Sequence, residues 1–120
     1  MKRKKKEKIE IIESSGNVYA DLGFNNAEEM MAKAKLAILI GNIIKERKLT
    51  QKNAAEIMGI DQPKVSAILR GHLSGFTIDR LFRFLMAFGM DIIIEARPHI
   101  SRTSLPHIEV LHHPDSQFFD

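Results

Sequence analysis

The 120-residue sequence contains no cysteine, so it can form neither a disulfide framework nor a cysteine-based zinc site. It also lacks a long hydrophobic run, because the longest ones, such as residues 36–40 and 92–94, are far too short to cross a bilayer. The basic residues 1–8 are followed by a charged segment and not by the apolar core of a signal peptide. These absences predict a protein of the reducing cytoplasm.

The usual marks of an enzyme are missing as well. The sequence has no paired carboxylates, no phosphate-cradling glycine loop and no serine in a context that resembles a nucleophile turn. His107, His112 and His113 in the tail lack a second ligand set at suitable spacing, which favours surface histidines over a metal site. The sequence therefore predicts no catalytic residue, no cofactor and no metal ligand.

Charge is distributed unevenly behind the net value of +3. Residues 1–8 carry six Lys or Arg and one Glu, and residues 44–84 carry eight Lys or Arg and four acids. The rest of the chain is net acidic. Such a concentration of positive charge is expected of a surface that binds duplex DNA, although an ordinary solvated arm explains residues 1–8 equally well.

Residues 49–71, LTQKNAAEIMGIDQPKVSAILRG, predict two short helices joined by a tight turn. The first helix is predicted over residues 51–58, with Thr50 as its N-cap. Gly59 is expected to end it, because glycine enters the left-handed conformation without a Cβ penalty.

The second helix is predicted to begin around Asp61, which we expect to cap it, with Pro63 in its first turn and Arg70 at its end. Small Ala55 suits a close helix crossing, and Val65 with its aliphatic neighbours Ile60 and Ile68 is expected to point inward. The outward face is polar and rich in hydrogen-bond donors: Gln62, Lys64, Ser66 and Arg70.

Two further helices are predicted around this motif. The long helix before it should start at an Asn26 cap, with Glu29 as capping-box partner, and reach about Arg47. Its apolar residues form two stripes, so we expect it to be buried on more than one side or to meet a partner. The helix after the motif should be capped by Thr77 and stopped by Gly89. Core positions on the two stripes and on the last helix are Ala34, Ala37, Ile38 and Gly41; Leu36, Ile40, Ile43 and Ile44; and Leu81, Phe84, Leu85 and Phe88.

Residues 91–97, DIIIEAR, are rich in β-branched side chains and bounded by Pro98, which predicts a single strand. A lone strand needs a neighbour for its backbone groups. That neighbour could be residues 9–12, residues 108–111 or the same strand of a second copy. We favour the second copy, which makes the dimer interface Ile92, Ile93 and Ile94.

Residues 16–97 resemble the Xre-type helix-turn-helix family in the pattern LTQ…AA..MGI.Q..VS.ILRG. The flanking segments GNVYADLGF…AEEMMAKAKLA and FTIDRLFRFLMAFGMDIIIEARP resemble HigA-like antitoxins of toxin–antitoxin pairs. The resemblance implies a mainly α, lambda-repressor-like bundle of four to five helices with one C-terminal β-strand. The basic arm, residues 1–15, and the tail, residues 98–120, fall outside it.

The same resemblance implies a cytoplasmic homodimer that represses its own operon by binding an inverted-repeat operator in double-stranded DNA, and that neutralises a HigB-like ribonuclease toxin. Lysine side chains near the motif should neutralise phosphates. The implied DNA contacts are Gln51, Lys52 and Ser74 at phosphates; Gln62, Ser66 and Ala67 at base edges; and Lys64 and Arg70 at the backbone or at guanine. An alternative is a protein-interaction module without DNA binding, which acidic reading positions would support; only Asp61 is acidic there.

Overall fold

In the computed structural model, which describes residues 26–113, four helices and no strand are present. They are α1 (Ala27–Glu46), α2 (Gln51–Met58), α3 (Gln62–Leu69) and α4 (Ile78–Ala87). Both α1 and α2 pack against α3 and α4, so the core lies between these two pairs of helices. Within that range, no helix has the length and apolar character that a bilayer crossing requires. The arm predicted over residues 1–15 lies outside the described residues.

The start of α1 differs from the prediction. Asn26 is the N-cap residue, and its carbonyl accepts the Met30 N–H at 3.0 Å, but its side chain makes no capping hydrogen bond. Its backbone (φ −111°, ψ 46°) is not in the β region that N-cap residues typically adopt. The predicted capping box with Glu29 is therefore wrong, and Glu29 forms an ion pair with Lys33 at 3.8 Å.

The two apolar stripes on α1 are not covered equally. The stripe that includes Leu36 and Ile40 is buried in the core. On the other stripe Ala37 is buried, whereas the Ile38 side chain is 61% exposed. Ile38 borders a shallow groove between α1 and the end of α3, which Leu69 lines from the α3 side. The part of the chain that the structure describes thus leaves one face of α1 open.

The remaining predicted helix boundaries are confirmed. Thr50 Oγ1 accepts the Asn53 N–H at 3.0 Å at the start of α2, and Thr77 Oγ1 accepts the Arg80 N–H at 3.3 Å at the start of α4. Gly89 follows α4 in the left-handed conformation (φ +90°). Fully buried side chains from three helices fill the core, and each stabilises the fold by about 1.5–3 kcal/mol: Ile40, Ile43, Val65, Ile68, Leu81 and Leu85.

The strand predicted over residues 91–97 does not form within the single chain, so among the described residues the fold lacks the predicted C-terminal β-strand. The segment has no regular secondary structure. Ile92 packs partly against the core, whereas Ile93 and Ile94 are 88% and 79% exposed. A strand exists only where a second segment accepts and donates its ladder hydrogen bonds. No segment within residues 26–113 does so.

Neither of the two segments predicted as possible intrachain partners of that strand pairs with it within the described residues. Residues 108–111 are engaged elsewhere, because the Ile108 N–H donates to Glu28 Oε1 at 3.0 Å and Val110 packs against the core. Residues 9–12 lie outside the described residues. Within the described chain, the backbone of residues 91–97 is left without a ladder.

Candidate nucleic-acid interface

A tight turn sets α3 across α2. Gly59 adopts the left-handed conformation (φ +74°, ψ 30°), as predicted, which costs a residue with a Cβ atom energy but not glycine. The N–H groups of Gly59 and Ile60 both donate to the carbonyl of Ala55, at 2.8 and 3.1 Å. These two bonds satisfy the end of α2 while the chain reverses. The turn therefore fixes where α3 begins.

Asp61 caps α3, as predicted. Its Oδ1 accepts the backbone N–H of Lys64 at 3.0 Å, and its Oδ2 lies 3.3 Å from Lys64 Nζ. The backbone hydrogen bond from Lys64, followed by the side-chain one, lowers the pKa of the Asp61 carboxyl below its ordinary value of 3.8. The Lys64 ammonium is consequently paired with a carboxylate of its own helix.

The two sides of α3 differ sharply. Val65 and Ile68 are completely or almost completely buried, which anchors the helix. In contrast, Gln62, Lys64 and Arg70 are exposed to solvent. Two smaller residues between them, Ser66 and Ala67, are partly exposed. The four predicted DNA contacts on α3 and its C-cap residue Arg70 are thus exposed or partly exposed, and of these Ala67 also packs against the core.

The other predicted contacts lie on neighbouring segments. Gln51 and Lys52 stand on the first turn of α2, partly exposed and exposed respectively, and Ser74 is exposed in the loop between α3 and α4. Within residues 26–113, neither Lys52 nor Arg70 takes part in an ion pair. Arg70 Nε does donate a long hydrogen bond of 3.4 Å to the Ser66 carbonyl. Two cations are thus left for an anionic ligand.

One arginine beside this surface was missed by the sequence reasoning. The Arg80 guanidinium lies 5.0 Å from the ring centroid of Phe76 and 5.5 Å from that of Phe84. Its NH1 group donates to the Gly75 carbonyl at 3.3 Å. Arg80 and Phe84 are four residues apart on one helix, a spacing that brings side chains together and could have revealed the contact.

The described part of the chain holds no group of three or more histidine, cysteine or acidic residues that could bind a metal. Two histidines of the tail do meet: the His99 and His107 rings contact edge to face, with centroids 6.1 Å apart. His99 Nε2 lies 2.8 Å from the Ser104 carbonyl. These rings contact each other and the tail's own backbone.

A family model described as a helix-turn-helix domain matches residues 18–97. The chain belongs to this helix-turn-helix family. A solved structure whose name assigns it to the XRE family of transcriptional regulators matches at 35% identity and a TM-score of 0.69. The match covers 73% of this chain and 99% of that one, which makes the chain a member of the XRE family. No curated protein matches the chain.

This membership confirms the helical part of the predicted fold, an XRE-like helix-turn-helix bundle. The matched span, residues 18–97, nearly coincides with the range that resembled the Xre-type family in sequence. Helix-turn-helix regulators are typically not enzymes, which agrees with the predicted absence of catalysis. The roles of individual side chains toward DNA stay predictions.

The Asp61 cap generates a stability prediction. We expect Asp61→Ala to lower the melting temperature, because the Lys64 N–H loses its acceptor. Asp61→Asn should melt at nearly the same temperature as the parent, since asparagine caps helices about as well as aspartate. The carboxylate's own contribution is fully present above its unfolded pKa of 3.8 and is lost as the pH falls through the lower folded value.

Thermal unfolding of the parent and both variants, at neutral pH and below pH 3.8, measures these effects. Glu56→Ala is the matched control, because it removes an exposed carboxylate from α2 that takes part in no ion pair within residues 26–113. The capping role is refuted if Asp61→Ala melts at the same temperature as the parent at neutral pH.

Proposed function

We propose that this protein is a sequence-specific regulator of transcription that inserts α3 into the major groove of double-stranded DNA. The observation that carries the proposal is the amphipathic character of α3. Val65 and Ile68 are buried in the core, whereas Gln62 and the C-cap residue Arg70 are exposed to solvent. Membership of the XRE helix-turn-helix family supports it. An α-helix fits the major groove, where each base pair displays a distinct set of donors and acceptors.

The side chains on the outer surface of α3 have chemistry suited to that groove. Glutamine can form two hydrogen bonds with adenine and arginine two with guanine, and each such pair gives about 1–3 kcal/mol of discrimination. In this proposal Gln62 and Arg70 make these contacts. Ser66 hydrogen-bonds a base edge and the Ala67 methyl group contacts a thymine methyl.

Phosphate contacts would come from the residues around α3. In this proposal Gln51, Lys52 and Ser74, which are exposed or partly exposed, contact the DNA backbone and fix the register of the helix. Lys64 is different because its ammonium already lies 3.3 Å from Asp61 Oδ2. A phosphate has to compete with that carboxylate, so we expect Lys64 to contribute less than Lys52 to the salt dependence of binding.

The assignment of the reading surface is tested by Gln62→Ala and Arg70→Ala. Each variant should bind a duplex selected from a random pool roughly 5- to 150-fold more weakly than the parent, because one two-bonded base contact is lost. Binding titrations at fixed salt measure this, and the selected sequences should be inverted repeats.

Arg83→Ala is the matched control for the loss of an arginine, since Arg83 is exposed on α4 and pairs with Asp79 at 3.9 Å. It should bind as the parent does, and all variants should keep the parent's far-ultraviolet circular dichroism. Equal affinities of the parent, Gln62→Ala and Arg70→Ala for the selected duplex would exclude α3 as the reading helix.

We also propose that the regulator is a homodimer joined through residues 91–97. The support is the segment's state in the single chain: its backbone has no ladder partner within the described residues, and Ile93 and Ile94 are largely exposed. Antiparallel pairing with the same segment of a second copy would satisfy those groups. Two reading helices would then stand about 34 Å apart, one turn of DNA.

The dimer is tested with Ile94→Asp. Residue 94 lies at the centre of residues 91–97, so in a two-fold antiparallel pair it faces its own copy, and two carboxylates there repel each other. We expect light scattering to show a dimer for the parent and a monomer for Ile94→Asp. Ile100→Asp is the control, because Ile100 is 90% exposed and lies outside the predicted strand. A monomeric parent at micromolar concentration would refute this interface.

We propose, further, that the protein is the antitoxin and autorepressor of a cytoplasmic toxin–antitoxin pair. The support is the resemblance of both segments that flank the motif to HigA-like antitoxins. The neighbouring reading frame should then encode a small basic HigB-like ribonuclease, and co-expression of this chain should relieve the growth arrest that the toxin causes.

Arg70→Ala separates the two activities in that experiment. It should still relieve growth arrest, because toxin neutralisation does not need base reading, while repression of the operon is lost. If the chain gives no relief from the neighbouring gene product, the antitoxin role is wrong and the DNA-binding proposal is unaffected. If the parent selects no duplex but does relieve arrest, the alternative of an interaction module without DNA binding is correct.

A further inference from the structure

We propose that Arg80 is an additional DNA-contacting residue, a pre-positioned arginine that clamps a backbone phosphate next to Ser74. This inference rests on the proposed DNA-binding function and adds to it a residue of α4, outside the helix-turn-helix. The partner is a phosphate diester of the duplex, recognised by charge and by paired hydrogen bonds and not by base sequence.

The first step is the fixed position of the guanidinium. It lies close to the rings of Phe76 and Phe84, which are both buried, and donates to the Gly75 carbonyl at 3.3 Å. The two rings themselves meet edge to face with centroids 6.1 Å apart, so they form a rigid platform. An arginine held in this way loses little further side-chain freedom when it binds a ligand.

The second step is location. Gly75 directly follows Ser74, and the bond from Arg80 to the Gly75 carbonyl puts the guanidinium beside the loop that leaves α3. A phosphate that Ser74 contacts is therefore within reach of Arg80. Since the loop continues the chain from Arg70 at the end of α3, this phosphate would flank the base pairs read by that helix.

The third step is chemistry. A guanidinium has five N–H donors, and one hydrogen bond to Gly75 leaves most of them for the two free oxygens of a phosphate. Within residues 26–113, Arg80 has no carboxylate partner, whereas Arg83, one turn later on the same helix, is paired with Asp79. Of the two arginines on α4, Arg80 is therefore the one whose guanidinium contacts two rings and a carbonyl but forms no ion pair with a carboxylate of the described residues.

The test compares Arg80→Met with Arg83→Met in the full-length protein. Both variants lose one positive charge from α4, and methionine keeps an unbranched apolar stem over the rings in the first. Affinity for a mixed-sequence duplex is measured over a series of salt concentrations. We expect Arg80→Met to reduce the slope of log K against log salt by about 0.9, the value of one phosphate contact, and Arg83→Met to leave it close to the parent's.

Each outcome decides the inference. Equal slopes for the two variants overturn it, and so does weaker binding of Arg80→Met with an unchanged slope, because that result makes Arg80 only a support of the loop. Should Arg80→Met fail to fold, Arg80→Lys decides: it keeps the charge but not the paired hydrogen bonds, so binding should weaken several-fold. Parent affinity in Arg80→Lys refutes the clamp. If the parent itself binds no duplex, the proposed function has failed and not this step alone.

Discussion

The burial of one side of α3 is the constraint on which the rest of the structure depends. A helix of this length is not stable alone in water, so α3 exists because Val65 and Ile68 pack against α1 and α2. The same packing fixes its rotation about its own axis. Because the rotation of the helix is fixed, Gln62 and Arg70 are exposed to solvent. The packing of the core therefore also determines which polar side chains form the outer surface.

The junction at Asp61 shows that stability and ligand binding make opposing demands on this surface. The carboxylate caps α3 and pairs with Lys64, which stabilises the start of the helix. It also places a negative charge next to a helix proposed to approach phosphates, where it repels them and occupies a cation. A short helix needs its cap, and in the proposed complex Lys52 and Arg70, which form no ion pair within residues 26–113, offset the repulsion.

Two exposed apolar surfaces of the described chain differ in whether their backbone groups are hydrogen-bonded. The stripe of α1 around Ile38 has satisfied backbone groups and exposes only side chains. The segment at residues 91–97 exposes apolar side chains and also lacks a hydrogen-bond ladder. Residues 91–97 are the better candidate for association, because a row of exposed, unpaired backbone N–H and C=O groups is a template for pairing with another strand. That difference is why the dimer is proposed through residues 91–97 and not through α1.

Local chemistry alone predicted the turn at Gly59, the caps at Thr50, Asp61 and Thr77, and the inward direction of Val65. Each depends on residues within a few positions along the chain, so the sequence contains the whole interaction. The contact of Arg80 with Phe76 and Phe84 is local too, because each ring lies four residues from Arg80, and it was overlooked. Two features needed the tertiary structure: the open side of α1 and the missing ladder of residues 91–97. Each depends on which distant segment lies nearby, and that is settled by long-range packing, which no local pattern encodes.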